Sequence, residues 1–335
     1  MDSLPFLSII VPAYNSEKTI ESCLKAIRSS DYREYELLVI DDGSRDQTGE
    51  IAKKYADRIL GGGDNRGRVS ARNEGIRSAR GEIIVNVDSD VLLRPDSLSQ
   101  IAGYFIRHPD VSALTGLLSG ECVESGFFSR YKNLYMNYIF KQLPERVSFL
   151  YGSIYAVRRR EIEKIDSSVK LADDTELGQE LFSKGKRIAF LKDLEVTHLK
   201  RYTLFSFLKN DFQIPFDWAR IFIRNQAWHQ LGKNKTGFAH SPKSQIASVV
   251  LVPFMLLTLP LIFKGFGAVF GLAFLLWIAL NFKFISFLVK EKGLIFGFFA
   301  FGVTLMDNLI MAAGIFFGFL VEFSSPNRKH KGKTA

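Results

Sequence analysis

Cysteine is nearly absent from this chain: Cys23 and Cys122 are the only two among 335 residues, about a hundred positions apart. Two such residues make no disulfide framework and have no metal-ligand spacing, so a reducing compartment fits. Low-complexity tracts are also missing, and with 47% hydrophobic residues an extended disordered chain is excluded. Acidic residues are scarce in one region only. Residues 200–335 carry 16 Lys and Arg against 5 Asp and Glu, net +11, whereas residues 1–199 carry 28 against 30, net −2; the sum is the +9 of the whole chain. No basic, cleavable leader is expected either. An acidic residue, Asp2, comes first and the run Leu7–Val11 is short, so the N-terminal part is expected to stay in the cytosol.

What the chain has in abundance is apolar sequence near its C-terminus. Ser244 to Phe263 is 20 residues without a charge, Gly265 to Phe282 is 18, and Gly293 to Val321 is 29 interrupted only by Asp307. About 20 apolar residues in a helix cross a hydrocarbon core of about 30 Å. Three such segments exceed what one soluble core would absorb, and Pro253 and Pro260 are better tolerated in membrane helices than in soluble ones. Three membrane-spanning segments are therefore expected over 244–323. The basic residues cluster before them (Lys200, Arg201, Lys209, Arg220, Arg224, Lys233, Lys235 and Lys243), as the positive-inside rule asks of a cytoplasmic collar. The tail 324–335, with Arg328, Lys329, Lys331 and Lys333, also wants the inside. Three full spans put it outside, so either the last segment turns back near Asp307 or the tail breaks the rule. Charge that flanks apolar spans argues for a membrane surface and against a nucleic-acid partner.

The first 200 residues alternate strand-like and helix-like stretches. Strands are expected at Leu7–Val11, Glu36–Ile40, Ile83–Val87 and Val111–Thr115. Helical spacing recurs at Ile20, Leu24 and Ile27 behind a Ser16 cap, at Ile51 and Tyr55 behind Asp46, and at Leu98, Ile101, Ala102 and Phe105 behind Pro95. This is the pattern of an α/β domain with a mostly parallel sheet, whose ligands sit beyond the carboxyl ends of the strands. Those ends carry Asp41-Asp42-Gly43-Ser44 and Asp88-Ser89-Asp90. Acidic pairs at neighbouring strand ends repel unless a cation sits between them, and a divalent metal is the simplest one. Gly61-Gly62-Gly63 lacks phosphate-loop spacing and reads as a turn. Asn65 to Asn73 opens a helix with Gly67, Arg66 and Arg68 at its N-terminus, where anions are favoured.

Taken in order, Val11-Pro12-Ala13-Tyr14-Asn15, Asp41-Asp42-Gly43-Ser44, Gly67 with Ala71-Arg72-Asn73, Asp88-Ser89-Asp90, and Asp173-Asp174-Thr175-Glu176-Leu177 resemble the motifs of family 2 glycosyltransferases of the GT-A fold. Gly152 through Arg159, Gly185 through Ile188 and Val196-Thr197-His198 continue the likeness, which covers about residues 5–200. The resemblance implies a Rossmann-like nucleotide-diphospho-sugar transferase domain and transfer from a nucleotide-diphosphate sugar donor with inversion. By the same resemblance Pro12, Tyr14, Asp41, Asp42, Arg72 and Asp88 bind the donor, with Arg72 near Asp41 and Asp42 at the nucleobase and ribose. Asp90 is the implied ligand of Mg2+ or Mn2+, Asp174 the general base, and His198 a further candidate near metal or diphosphate. Gly152 and Asp173 fall on the acceptor side. Three acids within four positions repel, which raises one pKa toward that of a working base.

Beyond His198, Gln213 through Arg220 departs from the Gln-x-x-Arg-Trp of processive membrane members, while Trp218 and Arg220 remain acceptor-side candidates. Phe216, Ala219, Phe222 and Ile223 form a stripe suited either to the membrane interface or to packing on the catalytic domain. The expected organisation is a catalytic domain over 1–200, amphipathic interfacial helices over 201–243, transmembrane helices over 244–323 and a basic tail. The expected function is transfer to a lipid or lipid-linked acceptor by a multi-pass protein of the cell (inner) membrane with its catalytic domain in the cytoplasm. A processive polysaccharide synthase and a catalytically silent adaptor are the alternatives.

Overall fold

The computed structural model describes residues 4–165, 171–227, 242–265 and 267–324. Lys233, Lys235 and the basic tail from 325 lie outside the described residues. The chain divides into two compact units, Met1–Arg201 and Tyr202–Ala335.

In the first unit nine strands form one sheet: β1 Leu7–Ala13, β2 Tyr35–Asp41, β3 Arg58–Gly61, β4 Ile83–Val87, β5 Val91–Leu93, β6 Val111–Cys122, β7 Arg146–Val147, β8 Ile154–Arg158 and β9 Arg187–His198. Their order is β3-β2-β1-β4-β8-β6-β9-β5, with β7 paired to β9. The helices are α1 Ile20–Arg28, α2 Thr48–Ala52, α3 Arg68–Ser78, α4 Ser97–Arg107, α5 Phe127–Lys141 and α6 Asp173–Ser183. β1 and β4 are buried along their whole length, as central strands covered on both faces must be. Pro12 lies beyond Ile10, the last β1 residue paired to β4, so its missing N–H falls where that ladder has already ended.

Two local expectations change. The sheet is mixed rather than mostly parallel: β8 runs antiparallel to both β4 and β6, and β5 and β7 run antiparallel to β9. A short apolar run reads the same in either direction, so its own residues carry no direction. Nor is Ser16 the cap of α1. Its carbonyl accepts from Thr19 and Ile20, while its hydroxyl pairs with Ser89 at 2.9 Å. The helix face behind Pro95 is as expected, with Leu98, Ile101, Ala102 and Phe105 all buried.

In the second unit the described helices are α7 Leu204–Arg224, α8 Lys243–Thr258, α9 Gly267–Lys292 and α10 Leu294–Ser324. Two of them, α9 and α10, are long and apolar enough to cross a membrane. The first expected span falls short. α8 has 16 residues, about 24 Å of helix, before the chain tightens into a 3-10 segment at Leu259–Lys264, where Pro260 cannot donate a backbone hydrogen bond. Leu272, Leu275, Phe298 and Phe316 are more than half exposed, an apolar surface that suits lipid. α10 passes through Asp307 without a break, which removes a return at that point as a way of placing the tail. Polar side chains join the helices: Asn281 and Asn308 both donate to the Ser248 hydroxyl, at 2.7 and 2.6 Å.

α7 packs along α10, with Phe216, Ala219 and Phe222 of its apolar stripe against that helix. A Cβ on Gly314 would lie 2.3 Å from the Phe212 carbonyl, and one on Gly318 would lie 2.4 Å from that of Phe216. Only glycine admits so close an approach. Arg224 grips Glu322 with two nitrogens at 2.7 and 2.8 Å, and Arg220 adds a third contact at 3.3 Å. Gly318→Leu is expected to lift α7 off α10 and cost about 1–3 kcal/mol. Thermal unfolding of the detergent-solubilised protein measures this, and an unchanged midpoint would contradict the packing.

Candidate active site

The carboxyl ends of β1, β2, β4, β6 and β9 point to one edge of the sheet, and β8 begins there. That edge gathers Tyr14, Asp41, Asp42, Asp88, Asp90, Gly152 and His198. Tyr14 is half exposed, whereas Pro12, Asp41 and Asp42 are buried. Asp41 accepts from the Ser44 N–H at 2.9 Å. Asp42 accepts from the Arg66 and Gly67 N–H groups at 2.9 and 2.8 Å. The anion expected at the start of α3 is thus the chain's own Asp42, which fastens the loop ahead of that helix to the end of β2.

Arg72 is 1% exposed, and all its guanidinium nitrogens have partners. Nε donates to Asn86 Oδ1 at 3.0 Å, Nη1 to Asp173, and Nη2 to Asp88 Oδ1 at 2.9 Å and to the Gly152 carbonyl at 3.5 Å. Burial works against this cation, but Asp173, Tyr155 and Asp88 keep it protonated. The resemblance sets Arg72 beside Asp41 and Asp42, whereas its contacts are with the β4 and β8 ends and with α6. Asn86 completes the hub by donating to the Gly152 carbonyl at 2.7 Å. Sequence reasoning missed Asn86 and had Arg68 only as a charge at a helix start. The available signal was a polar residue inside the buried run Ile83–Val87.

α6 opens with two carboxylates in opposite situations. Asp173 is fully buried and accepts from Arg72 and Arg68; burial alone would raise its pKa, but the two guanidiniums hold it below the usual carboxylate range. Asp174 is half-buried and, among the described residues, has no such partner. It accepts from the Gly152 N–H and, at 2.7 Å, from the Thr175 N–H. Burial, with the Asp173 charge beside it, pushes it up to about 6. Neighbouring carboxyls driven apart in pKa are the arrangement from which acid–base roles are assigned.

Gly152 is what lets Asp174 sit there. A Cβ would meet Asp174 Oδ2 at 2.8 Å and Arg72 Nη2 at 3.1 Å. Gly152→Ala is expected to lower kcat by about 10²-fold through displacement of Asp174, with donor KM little changed. Steady-state kinetics check this, and an unaltered kcat refutes it.

A model of Glycosyl transferase family 2 matches residues 8–166. Over 123 residues the chain is 37% identical to an N-acetylglucosaminyltransferase of Bradyrhizobium elkanii, covering 34% of this chain and 67% of that one. The chain belongs to glycosyl transferase family 2. It is also 29% identical over 217 residues to the glycosyltransferase GlyA of Streptococcus pneumoniae, spanning 59% of this chain but only 31% of GlyA. Among solved structures, the mannosyltransferase PcManGT of Pyrobaculum calidifontis, in complex with GDP-Man and Mn2+, superposes with a TM-score of 0.59 at 17% identity, over 96% of this chain and 88% of that one. The first unit therefore has the GT-A fold of the family.

Family 2 chemistry of this kind implies a divalent cation, and the strand ends offer a partial set of ligands for one. Asp90 Oδ2 and His198 Nε2 face each other at 3.5 Å. Burial works to raise the Asp90 pKa, but His198 and Lys200 outweigh it and bring it to about 2, so the carboxylate is an anion at neutral pH. Asp88 uses one oxygen for Arg72. Among the described residues no three ligating side chains converge as a closed metal cage. One carboxylate and an imidazole fit a cation that takes its other ligands from water and substrate phosphates. Trp218 and Arg220 belong to the second unit, where Trp218 is buried and Arg220 is engaged with Glu322.

Proposed function

We propose that this glycosyltransferase moves a sugar, with inversion, from a nucleotide-diphosphate sugar to a lipid or lipid-linked acceptor at the cytoplasmic face of a membrane. The observation that carries the reading is Asp174, fixed by the Gly152 and Thr175 N–H groups on the edge that holds Asp88 and Asp90, with a pKa of about 6. An ionised Asp174 takes the proton of the acceptor hydroxyl while that oxygen attacks the anomeric carbon. The bond from that carbon to the diphosphate oxygen breaks in the same in-line step. Asp90 and His198 would hold Mg2+ or Mn2+ at this edge, and the bound ion would supply charge stabilisation for the diphosphate. Pro12, Tyr14, Asp41, Asp42 and Asp88 line the donor side, and Arg72, bound to Asp173 and to the Gly152 carbonyl, positions the two segments from which Asp174 and its N–H partners come.

On this reading residues 1–200 perform the transfer and 244–323 anchor the chain. The two long apolar helices and the +11 of residues 200–335 support it, because a basic collar favours the cytoplasmic, anionic leaflet. Membranes containing the protein, incubated with a panel of labelled nucleotide sugars, are expected to yield label in the lipid extract, and a chelator should abolish it. Label confined to the aqueous phase would refute the lipid acceptor. Label in long saccharide chains would move the assignment to a processive synthase.

A further inference from the structure

The edge of the sheet opposite the candidate active site holds a second concentration of charge. Arg158 pairs with Ile83 at the start of β4, whereas Asp88 follows its end, so strand length alone separates the two by roughly 15 Å. At this far edge Asp110, Arg146, Arg160, Glu161, Lys186 and Arg187 line an open cleft of about 550 Å³. Four cations face two carboxylates, leaving a net +2.

The carboxylates tether three of the cations. Glu161 takes Lys186 at 2.7 Å and Arg160 at 3.6 Å, and Asp110 takes Arg187. Arg146 is exposed and has no ion-pair or hydrogen-bond partner for its side chain among the described residues. Ser112 adds a hydroxyl to the lining. The walls are fixed by backbone contacts. Arg158 donates to the carbonyls of Val111, Phe105 and His108 at 2.8, 2.9 and 3.2 Å, which holds the turn bearing Asp110. The run Arg158-Arg159-Arg160 is thus divided: Arg158 builds the wall and Arg160 faces the cleft.

We propose that this cleft is a second anion site that binds a phosphorylated group, a diphosphate or a phosphate monoester, apart from the sugar-transfer site. Guanidiniums suit such oxygens because their donors are planar and forked. Cations already tethered by Glu161 and Asp110 lower the ordering cost that isolated surface arginines carry.

The test is calorimetric titration of the full-length, detergent-solubilised protein with inorganic pyrophosphate in the presence of a chelator, which silences any metal-dependent donor binding. Saturable binding with Kd on the order of 0.1–1 mM is expected. The double substitution Arg146→Glu with Arg160→Glu should weaken it at least about tenfold and leave basal sugar transfer unchanged. Arg146→Lys with Arg160→Lys keeps the charge and should retain most of the affinity, which separates loss of the site from loss of the fold. Absence of saturable binding to the unaltered protein, or equal affinity in the Glu variant, would overturn the proposal. Repeating the titration in phosphatidylcholine nanodiscs with and without phosphatidic acid distinguishes the source. Suppression by phosphatidic acid assigns the site to a lipid headgroup, and its absence assigns it to a soluble phosphate ester.

Discussion

Asp174→Asn is expected to abolish sugar transfer, by at least about 10³-fold in kcat, while donor binding persists. The amide keeps the size of the carboxylate but cannot accept the hydroxyl proton. Donor affinity measured with the nucleotide sugar should change little, since the Asp174 carboxylate bonds to Gly152 and Thr175, and Asp41 and Asp42 bond to Ser44, Arg66 and Gly67 instead. Substantial turnover in the purified variant would sink the assignment. The unaltered enzyme carries a second signature. A base of pKa about 6 is ionised above that pH, so kcat/KM should fall about tenfold per pH unit below it. The effect on stability has the opposite sense. The folded state holds this proton more tightly than an unfolded chain whose Asp titrates near 3.8. The contribution of Asp174 to stability is therefore fully present below pH about 4 and is lost as pH rises through about 6. Asp174→Asn at neutral pH should accordingly be inactive without being unfolded, and its melting temperature checks that.

Arg72→Met should have the largest effect on stability of any single substitution in the first unit. The guanidinium is the shared partner of Asp173, Asp88 and Asn86, and Asp173 is fully buried. Removing it strands a buried carboxylate with only Arg68 left to pair with. Breaking a buried ion pair from one side costs about 3–5 kcal/mol, a large share of the about 5–15 kcal/mol that holds a typical domain together. Arg72→Lys is expected to rescue only part of this, because one ammonium cannot serve three acceptors at the angles a guanidinium reaches. Denaturant unfolding of both variants measures the difference, and a wild-type midpoint in Arg72→Met would refute the hub.

The contrast between Asp173 and Asp174 shows where reading a sequence stops. Three acids within four positions already imply that one of them is pushed toward a higher pKa. Which one depends on Arg68 and Arg72, a hundred positions upstream, reaching Asp173 and leaving Asp174 to two backbone N–H groups. Arg72 itself was legible as a motif residue but not as a buried hub, since burial is a property of what packs around it. Asn86 carried a weak local signal, and Arg68 carried only a charge at a helix start.

The sequence alone determined the alternation of strands and helices, the acids at the strand ends, the family they mark and the apolar, basic character of the last third. All of these rest on local periodicity, on the spacing of neighbouring residues or on composition. Only the tertiary structure decided strand direction, the pairing of α7 with α10 through Gly314 and Gly318, the separation of Asp173 from Asp174, and the gathering of Arg146, Arg160, Lys186 and Arg187 around one cleft. Each of these depends on residues far apart in the chain, and the free energy that brings such residues together comes from packing and burial, which no local window contains.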